Sequence, residues 1–253
     1  MSAQEEARTV ADDLRELGVR PGGPLLVHSS LSSMGWVEGG PAAVIDGLKA
    51  ALGDEGTLLL PALSYEFVSA HSPVFDVRTT PSCVGAITET FRTTPGVSRS
   101  LHPTHSVCAI GPLTEEMLEG HHLDDTPVGP RSPFRRLRDQ DGQILMLGCG
   151  LGPNTSMHGV EELSEPPYLF LPRPVEYTLI DHGGAEIPHT GRRHAFVGYR
   201  QRYDRVEGLM SAPDLRSGRV HGAPSWLIEA PALWEVAADT IARDTYHFVE
   251  AVR

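Results

Sequence analysis

The chain has 253 residues, 40% hydrophobic and 21% charged, which excludes disorder and suits one α/β domain over residues 1–253. Its formal charge of −12 argues against a nucleic-acid partner, since a phosphate backbone wants a basic face, and would attract a cationic small molecule, although acidity also serves plain solubility. No apolar run reaches the roughly 18 residues of a membrane span, Met1 to Val10 shows no signal peptide, and three cysteines make no disulfide framework, so a cytoplasmic location is expected and no membrane partner.

Helical spacing of Ala7, Val10, Leu14 and Leu17 predicts a helix over 5–17. Pro24 to His28 reads as a buried strand entering the polar Ser29-Ser30. A second helix is expected from Ala42 to Ala51, with Pro41 in its first turn, and a second buried strand from Thr57 to Pro61. This alternation argues for a sheet with helices on its faces. Further helices are expected over 81–92 and 113–118, and a short strand over 107–110. Gln143 to Leu147 is the clearest strand, closed by Gly148-Cys-Gly-Leu-Gly152, and a helix carrying Met157 to Leu163 should follow Pro153. Four prolines in 166–174 predict an extended loop. Val175 to about His194 alternates like antiparallel strands, with a hairpin turn at Gly183-Gly184. Ala230 to Val252 returns to a helical pattern.

Three stretches could carry chemistry. His28-Ser-Ser-Leu-Ser-Ser-Met-Gly-Trp36 places hydroxyls and backbone N–H groups at a strand-to-helix turn, which suits a phosphate; an ordinary capped connection would look the same. His102-Pro-Thr-His105 has histidines at a metal-like spacing, but no third histidine or carboxylate lies at a matching offset, so no metal is expected. Gly148 to Glu162 brings polar groups to the carboxyl end of a strand, where open α/β sheets bind ligands. Within it His158 and Glu161, three apart, share a helical face and make a candidate base with a carboxylate beside it; a structural histidine is the other reading.

Together these stretches resemble the aminoglycoside 3-N-acetyltransferase family from about Pro24 to Ala230. The resemblance is carried by Val27-His-Ser-Ser-Leu-Ser-Ser-Met-Gly-Trp36, Ala51-Leu-Gly-Asp-Glu-Gly-Thr-Leu58, and Thr80 to Arg92. Arg99-Ser-Leu-His-Pro103, Leu147-Gly-Cys-Gly150 and above all Asn154-Thr-Ser-Met-His158 continue it. It implies a central mixed sheet flanked by helices, the antibiotic N-acetyltransferase-like fold rather than the common GNAT fold, with acetyl-CoA as donor and a cationic aminosugar as acceptor. It also implies site residues. Ser29, Ser30, Leu31, Ser32, Ser33, Met34, Gly35 and Trp36 would hold coenzyme A, Ser106 would lie near the thioester, and His158 would be the general base. Tyr65, Glu66, Asp125, Glu161 and Glu162 would face the acceptor. Residues 61–66 and the irregular acceptor-side region around 164–210 match the family more loosely, and some relatives acetylate other amines.

Only a neutral amine attacks a thioester. A histidine suits the proton removal, a neighbouring carboxylate such as Glu161 could fix its tautomer, and a serine hydroxyl or backbone N–H could hold the oxyanion. Acidic pairs Asp124-Asp125 and Glu161-Glu162 suggest a negative acceptor pocket. Two other classes are a methyltransferase, from the glycine loop after 143–147, and a non-catalytic coenzyme A or sugar binder.

Overall fold

The computed structural model describes residues 2–252. The first helix, α1 (Ala3–Leu17), opens with a capping box between Ser2 and Glu5 and stops at Gly18 in the left-handed region. Strand β1 (Pro24–Ser29) leads through a 3₁₀ turn, Leu31–Met34, into α2 (Gly40–Leu52) and then β2 (Thr57–Pro61). Next come β3 (Val74–Asp76), α3 (Ala86–Arg92), β4 (Ser98–Arg99), β5 (Val107–Ile110), α4 (Thr114–Leu118), α5 (Pro133–Asp139), β6 (Gln143–Leu147) and α6 (Ser156–Ser164). The remainder is β7 (Val175–Ile180), β8 (Glu186–Gly191), β9 (Tyr199–Gln201), β10 (Leu215–Val220), β11 (Ala223–Glu229), α7 (Ala230–Arg243) and β12 (Val249–Ala251).

The main sheet has seven strands in the order β10-β11-β6-β1-β2-β5-β4. Its centre is parallel, with β1 flanked by β6 and β2, and both edges are antiparallel. Leu25, Val27, Leu58 and Leu60 point into a core under α1, α2 and α3, whereas Leu26, Leu59, Ile144 and Met146 point into a second core under α4 to α7. Burial on both faces explains why β1, β2 and β6 read as unbroken apolar runs. Because β1, β2 and β6 run in parallel, the loops leaving β1 and β6 emerge together at one edge of the sheet, at a topological switch point. There Ser30 N–H donates to Leu147 O at 2.9 Å. A Cβ at Gly148 would lie 2.9 Å from Ser33 Cβ, and the residue has φ of +69°, so only glycine lets these two loops touch.

A three-stranded sheet, β3-β7-β8, and a two-stranded one, β9-β12, lie apart from the main sheet. The Gly183-Gly184 turn does join β7 to β8 as a hairpin. Two expectations need correcting, and one segment had no assignment. Residues 230–252 are not one helix: α7 stops at Arg243, and Val249–Ala251 turns back to pair with β9. The helix expected over 81–92 begins only at Ala86, because Ser82 and Cys83 are tied into a loop by Glu89 Oε2 and Leu63 O. And residues 215–229 form a β10-β11 hairpin that extends the main sheet, where no strand was expected.

Candidate active site

A cavity of about 330 Å³ opens just beyond the carboxyl end of β1. Its walls are assembled from distant stretches. They include His28 and Ser29 of β1, Tyr65 from the loop after β2, Thr104 and His105 ahead of β5, and Cys149 after β6. Thr155 and His158 come from the start of α6, Arg193, His194 and Phe196 from the chain after β8, and Tyr203 from a 3₁₀ turn after β9.

His158 sits in the first turn of α6. That turn is set by Asn154, whose Oδ1 accepts from Ser156 N–H at 3.2 Å and whose carbonyl accepts from Met157 N–H. The helix lies close against α7: a Cβ at Gly159 would meet the Trp234 ring at 2.3 Å and Val128 Cγ1 at 2.5 Å. Glu161, one turn on, is fully buried. Its carboxylate is 3.7 Å from His158 Nδ1, too far for a hydrogen bond, and Tyr203 stands between them. The Tyr203 hydroxyl lies 2.6 Å from Glu161 Oε2 and 2.8 Å from His158 Nδ1. A carboxylate can only accept, so Tyr203 donates to Glu161 and accepts from Nδ1–H, which leaves the His158 Nε2 lone pair uncommitted. Tyr168 donates a second hydrogen bond to Glu161 Oε1 at 3.0 Å. Burial first, and then the Glu161 charge, push the Tyr203 phenol well above its ordinary range, so it stays protonated.

Other imidazoles surround this one. His105 and His194 are held well below the usual histidine range by burial and then by neighbouring imidazoles, and burial brings His28 down to about 3. All three are neutral near pH 7. His194 Nε2 donates to Glu162 Oε1 at 2.8 Å, and burial raises the Glu162 carboxyl to about 7. One nitrogen of each of His105, His158 and His194 lies within 4.8 Å of the other two. The chain thus supplies the convergent third histidine that linear spacing did not reveal. His102 is not part of that group; its Nδ1 accepts from the backbone N–H groups of Thr104 and His105.

Of the residues expected at a site, Ser29, Tyr65 and His158 line this cavity. Ser30, Leu31, Ser32, Ser33, Met34, Gly35 and Trp36 lead away from Ser29. The hydroxyls of Ser30, Ser32 and Ser33 are clustered, Met34 is buried and Trp36 is 85% exposed. Ser106 is not in the cavity: its buried hydroxyl donates to Ala62 O and accepts from Arg99 Nε, both at 2.8 Å, which leaves it to fix Arg99. Glu162 is not in the cavity either; besides His194 it accepts from Val128 N–H at 2.9 Å. Asp125 lines a separate cleft with Glu165, Phe170 and Arg192, and Asp124 is turned inward onto Arg131 N–H. Glu66 is exposed beside Tyr65. The acidic pairs expected to make a negative acceptor pocket do not line this cavity. Among the described residues no carboxylate lines the cavity, and Arg193 does. Carboxylates that looked like acceptor ligands in the sequence are spent on orienting histidines and backbone. Cys149 faces the cavity, but burial pushes its thiol up to about 12, so it offers no thiolate near neutrality.

Sequence reading missed Tyr203, His105, His194 and His28 as wall residues. His28 stood in a quoted motif without a role, and His105 was weighed there only as a metal ligand with His102. Nothing local marks Tyr203 or His194, which reach the site only through the β7-β8 and β9-β12 pairings.

The family model described as aminoglycoside 3-N-acetyltransferase matches residues 26–242. The chain belongs to that family. It is 33% identical over 252 residues to aminoglycoside N(3)-acetyltransferase VIII of Streptomyces fradiae, covering 86% of this chain and 85% of that one. It is 41% identical over 157 residues to aminoglycoside N(3)-acetyltransferase IV of a Salmonella species; that match covers 61% of this chain and 58% of the relative. Among solved structures, a histidine-to-alanine variant of aminoglycoside acetyltransferase AAC(3)-IVa in complex with gentamicin superposes with a TM-score of 0.80, at 32% identity, covering 94% of this chain and 89% of that chain. The enzyme AAC-IIIb with coenzyme A superposes with a TM-score of 0.79, at 26% identity over 94% and 96% of the two chains. The α/β fold, with its mixed sheet between two helical layers, is the one these family members share. No helix among the described residues is long and apolar enough to cross a membrane.

Proposed function

We propose that this chain transfers the acetyl group of acetyl-CoA directly to the 3-amino group of an aminoglycoside, with His158 as general base, in the cytoplasm where coenzyme A thioesters are held. The observation that supports the reading is the Glu161–Tyr203–His158 chain on the cavity wall, which favours the Nδ1–H tautomer and would leave the Nε2 lone pair free to take a proton. As the amine nitrogen bonds the thioester carbon, Nε2 takes its proton. The imidazolium so formed is stabilised by the Tyr203 oxygen and the Glu161 charge behind it. Collapse of the tetrahedral adduct breaks the C–S bond, and the proton on His158 passes to the departing sulfur, giving amide and free coenzyme A. The neutral imidazoles around His158 keep the pocket free of fixed positive charge except at Arg193, so an amine can enter deprotonated.

Ser29 and the turn to Trp36 are proposed to hold the coenzyme. They leave β1 at the same sheet edge as His158, and a structural neighbour carries coenzyme A. With no acidic wall, the cavity would receive only the reacting amine. The acceptor's remaining ammonium groups would be met outside, by exposed carboxylates such as Glu66 and Asp125 and by the field of a −12 chain. One observation favours a second acceptor class, a less cationic amine: Arg193, which donates to Tyr65 O at 2.9 Å, stands on the wall where an acidic residue would suit a polycation. Thiol release from acetyl-CoA across a panel of aminoglycosides and simple amines, with mass spectrometry of the products, separates the two. Turnover confined to simple amines would overturn the aminoglycoside reading, and no turnover with any amine would overturn acetyl transfer.

A further inference from the structure

His105, His158 and His194 come from three separate stretches, yet one nitrogen of each lies within 4.8 Å of the others. Each ring has one nitrogen engaged and one left over. Thr104 Oγ1 is 2.9 Å from His105 Nδ1, the Tyr203 hydroxyl 2.8 Å from His158 Nδ1, and Glu162 Oε1 2.8 Å from His194 Nε2. With Glu162 Oε1 accepting the His194 Nε2–H hydrogen bond, and Glu161 holding Tyr203 as an acceptor for His158 Nδ1–H, His194 Nδ1 and His158 Nε2 present lone pairs. The Thr104 hydroxyl can donate to His105 Nδ1 or accept from it, so His105 Nε2 can present one too. His194 Nδ1 is buried with no protein partner. Lone pairs gathered this closely cannot bond to each other, and a cation would satisfy all of them at once.

We propose that His105, His158 and His194 form a three-imidazole site for a single zinc-class divalent cation, and that the bound cation silences the enzyme. Three imidazoles with a fourth position open to a cavity make the donor set of an open zinc site. A tetrahedral ion with Zn–N of about 2.1 Å holds its nitrogens about 3.4 Å apart, so the rings need close by no more than about 1.4 Å. The shell behind the ligands is already built: a carboxylate on His194 and a tyrosine–carboxylate pair on His158 are the partners that orient metal-bound histidines. With no carboxylate on the wall, the set selects zinc, cobalt, nickel or copper over magnesium or calcium. The ion is not a cofactor in this account. It takes the lone pair that the base needs, a consequence that rests on the functional reading above, whereas the binding itself does not.

The test is a cobalt titration of the whole protein after treatment with a chelator. One equivalent of Co²⁺ should produce the intense visible bands of a tetrahedral site, Zn²⁺ should displace it, and Mg²⁺ should leave it unchanged. His194→Gln keeps a donor to Glu162 but removes a ligand; it and His105→Gln should lose the bands. Glu162→Gln keeps all three ligands and should weaken zinc roughly tenfold to a hundredfold. His71→Ala, in an exposed turn far along the chain from the three ligands, should match the parent. Far-UV circular dichroism identifies any variant that has not folded, and the two ligand variants back each other up. Bands missing from the parent, or surviving in folded His194→Gln or His105→Gln, would overturn the site. Thiol release in the presence of zinc then reads the consequence: loss of turnover, restored by chelator, supports it, and full turnover at saturating zinc overturns the silencing. Failure of the parent to acetylate any amine would count against the functional reading alone, because the cobalt bands do not depend on turnover.

Discussion

The two carboxylates in adjacent positions of α6 do different things, and the regions they serve differ in the same way. Glu161 stands beside His158 in a compact unit, the β6 strand, glycine loop and α6 helix, and the remote region supplies only the Tyr203 hydroxyl that links the two and the Tyr168 hydroxyl behind it. Glu162 faces the other way and ties that unit to two remote segments, taking Val128 N–H and the imidazole of His194. The first region is built by local sequence. The second, residues 164–229, is built by pairings across long separations and supplies Tyr203, His194 and Arg193 to a cavity whose floor belongs to the main sheet. A site made from two such halves holds its geometry only while the buried contacts between them stay neutral and satisfied.

Acid should break that arrangement hardest. His28, His102, His105, His121 and His194 are all held below the ordinary histidine value of 6.5 by burial. The folded state therefore binds fewer protons than the unfolded chain below that pH. The stability these groups contribute is full above 6.5 and is lost as pH falls, by about 1.4 kcal/mol per pH unit for each. Glu162 acts in the opposite sense: raised to about 7, it contributes stability below 4.5 that is lost as pH rises through 7. Asp124 and His221, both raised, act in the same sense as Glu162, but these three do not offset the five imidazoles together with His189, which burial also lowers. Calorimetry should show the melting temperature falling by roughly 10 °C or more between pH 7 and pH 5. A flat profile would mean that the imidazoles protonate freely in the folded protein.

Tyr203→Phe sharpens the comparison from the remote half. It removes one oxygen, leaves the ring in place and strips His158 of its orienting partner. Turnover should drop about tenfold to a hundredfold, below the full worth of a general base, with the acid limb of the pH–rate profile displaced and the KM for acetyl-CoA little changed. Equal rates in parent and variant would assign Tyr203 to packing alone.

That tyrosine also marks how far the sequence could be read. The β6 strand, the glycine loop and the His158-Glu161 spacing were legible because apolar runs and helical periodicity are local signals. A sheet with helices on its faces followed from the same signals. The β7-β8 hairpin was legible from its alternation, but residues 195–229 and 249–251 were not, since β9, β10, β11 and β12 are short or half-exposed and are held by partners far along the chain. Val249–Ala251 continued a helical pattern and became a strand because β9 was there to pair with it. Glu162, Asp124 and Ser106 misled for a related reason: residue type does not tell which way a side chain points, and all three point away from the cavity.

The smallest effect is expected at Cys149. It faces the cavity, but its thiol is pushed up to about 12 by burial, so direct attack by the amine does not need it. Cys149→Ala should keep turnover within a few-fold, and intact-protein mass spectrometry with donor alone should find no acetyl group on the parent. A thioester on Cys149 would replace direct transfer with a covalent intermediate.

The central claim is that His158 is the base, and His158→Ala tests it most directly. Steady-state thiol release from about pH 6 to 9, beside a calorimetric titration with coenzyme A, separates chemistry from binding. The account predicts a loss of turnover of about a hundredfold to ten-thousandfold, no acid limb in the pH–rate profile, and coenzyme A affinity nearly unchanged. A folded variant that turns over within a few-fold of the parent would contradict it, and would leave the Glu161–Tyr203–His158 chain as a structural feature of the fold.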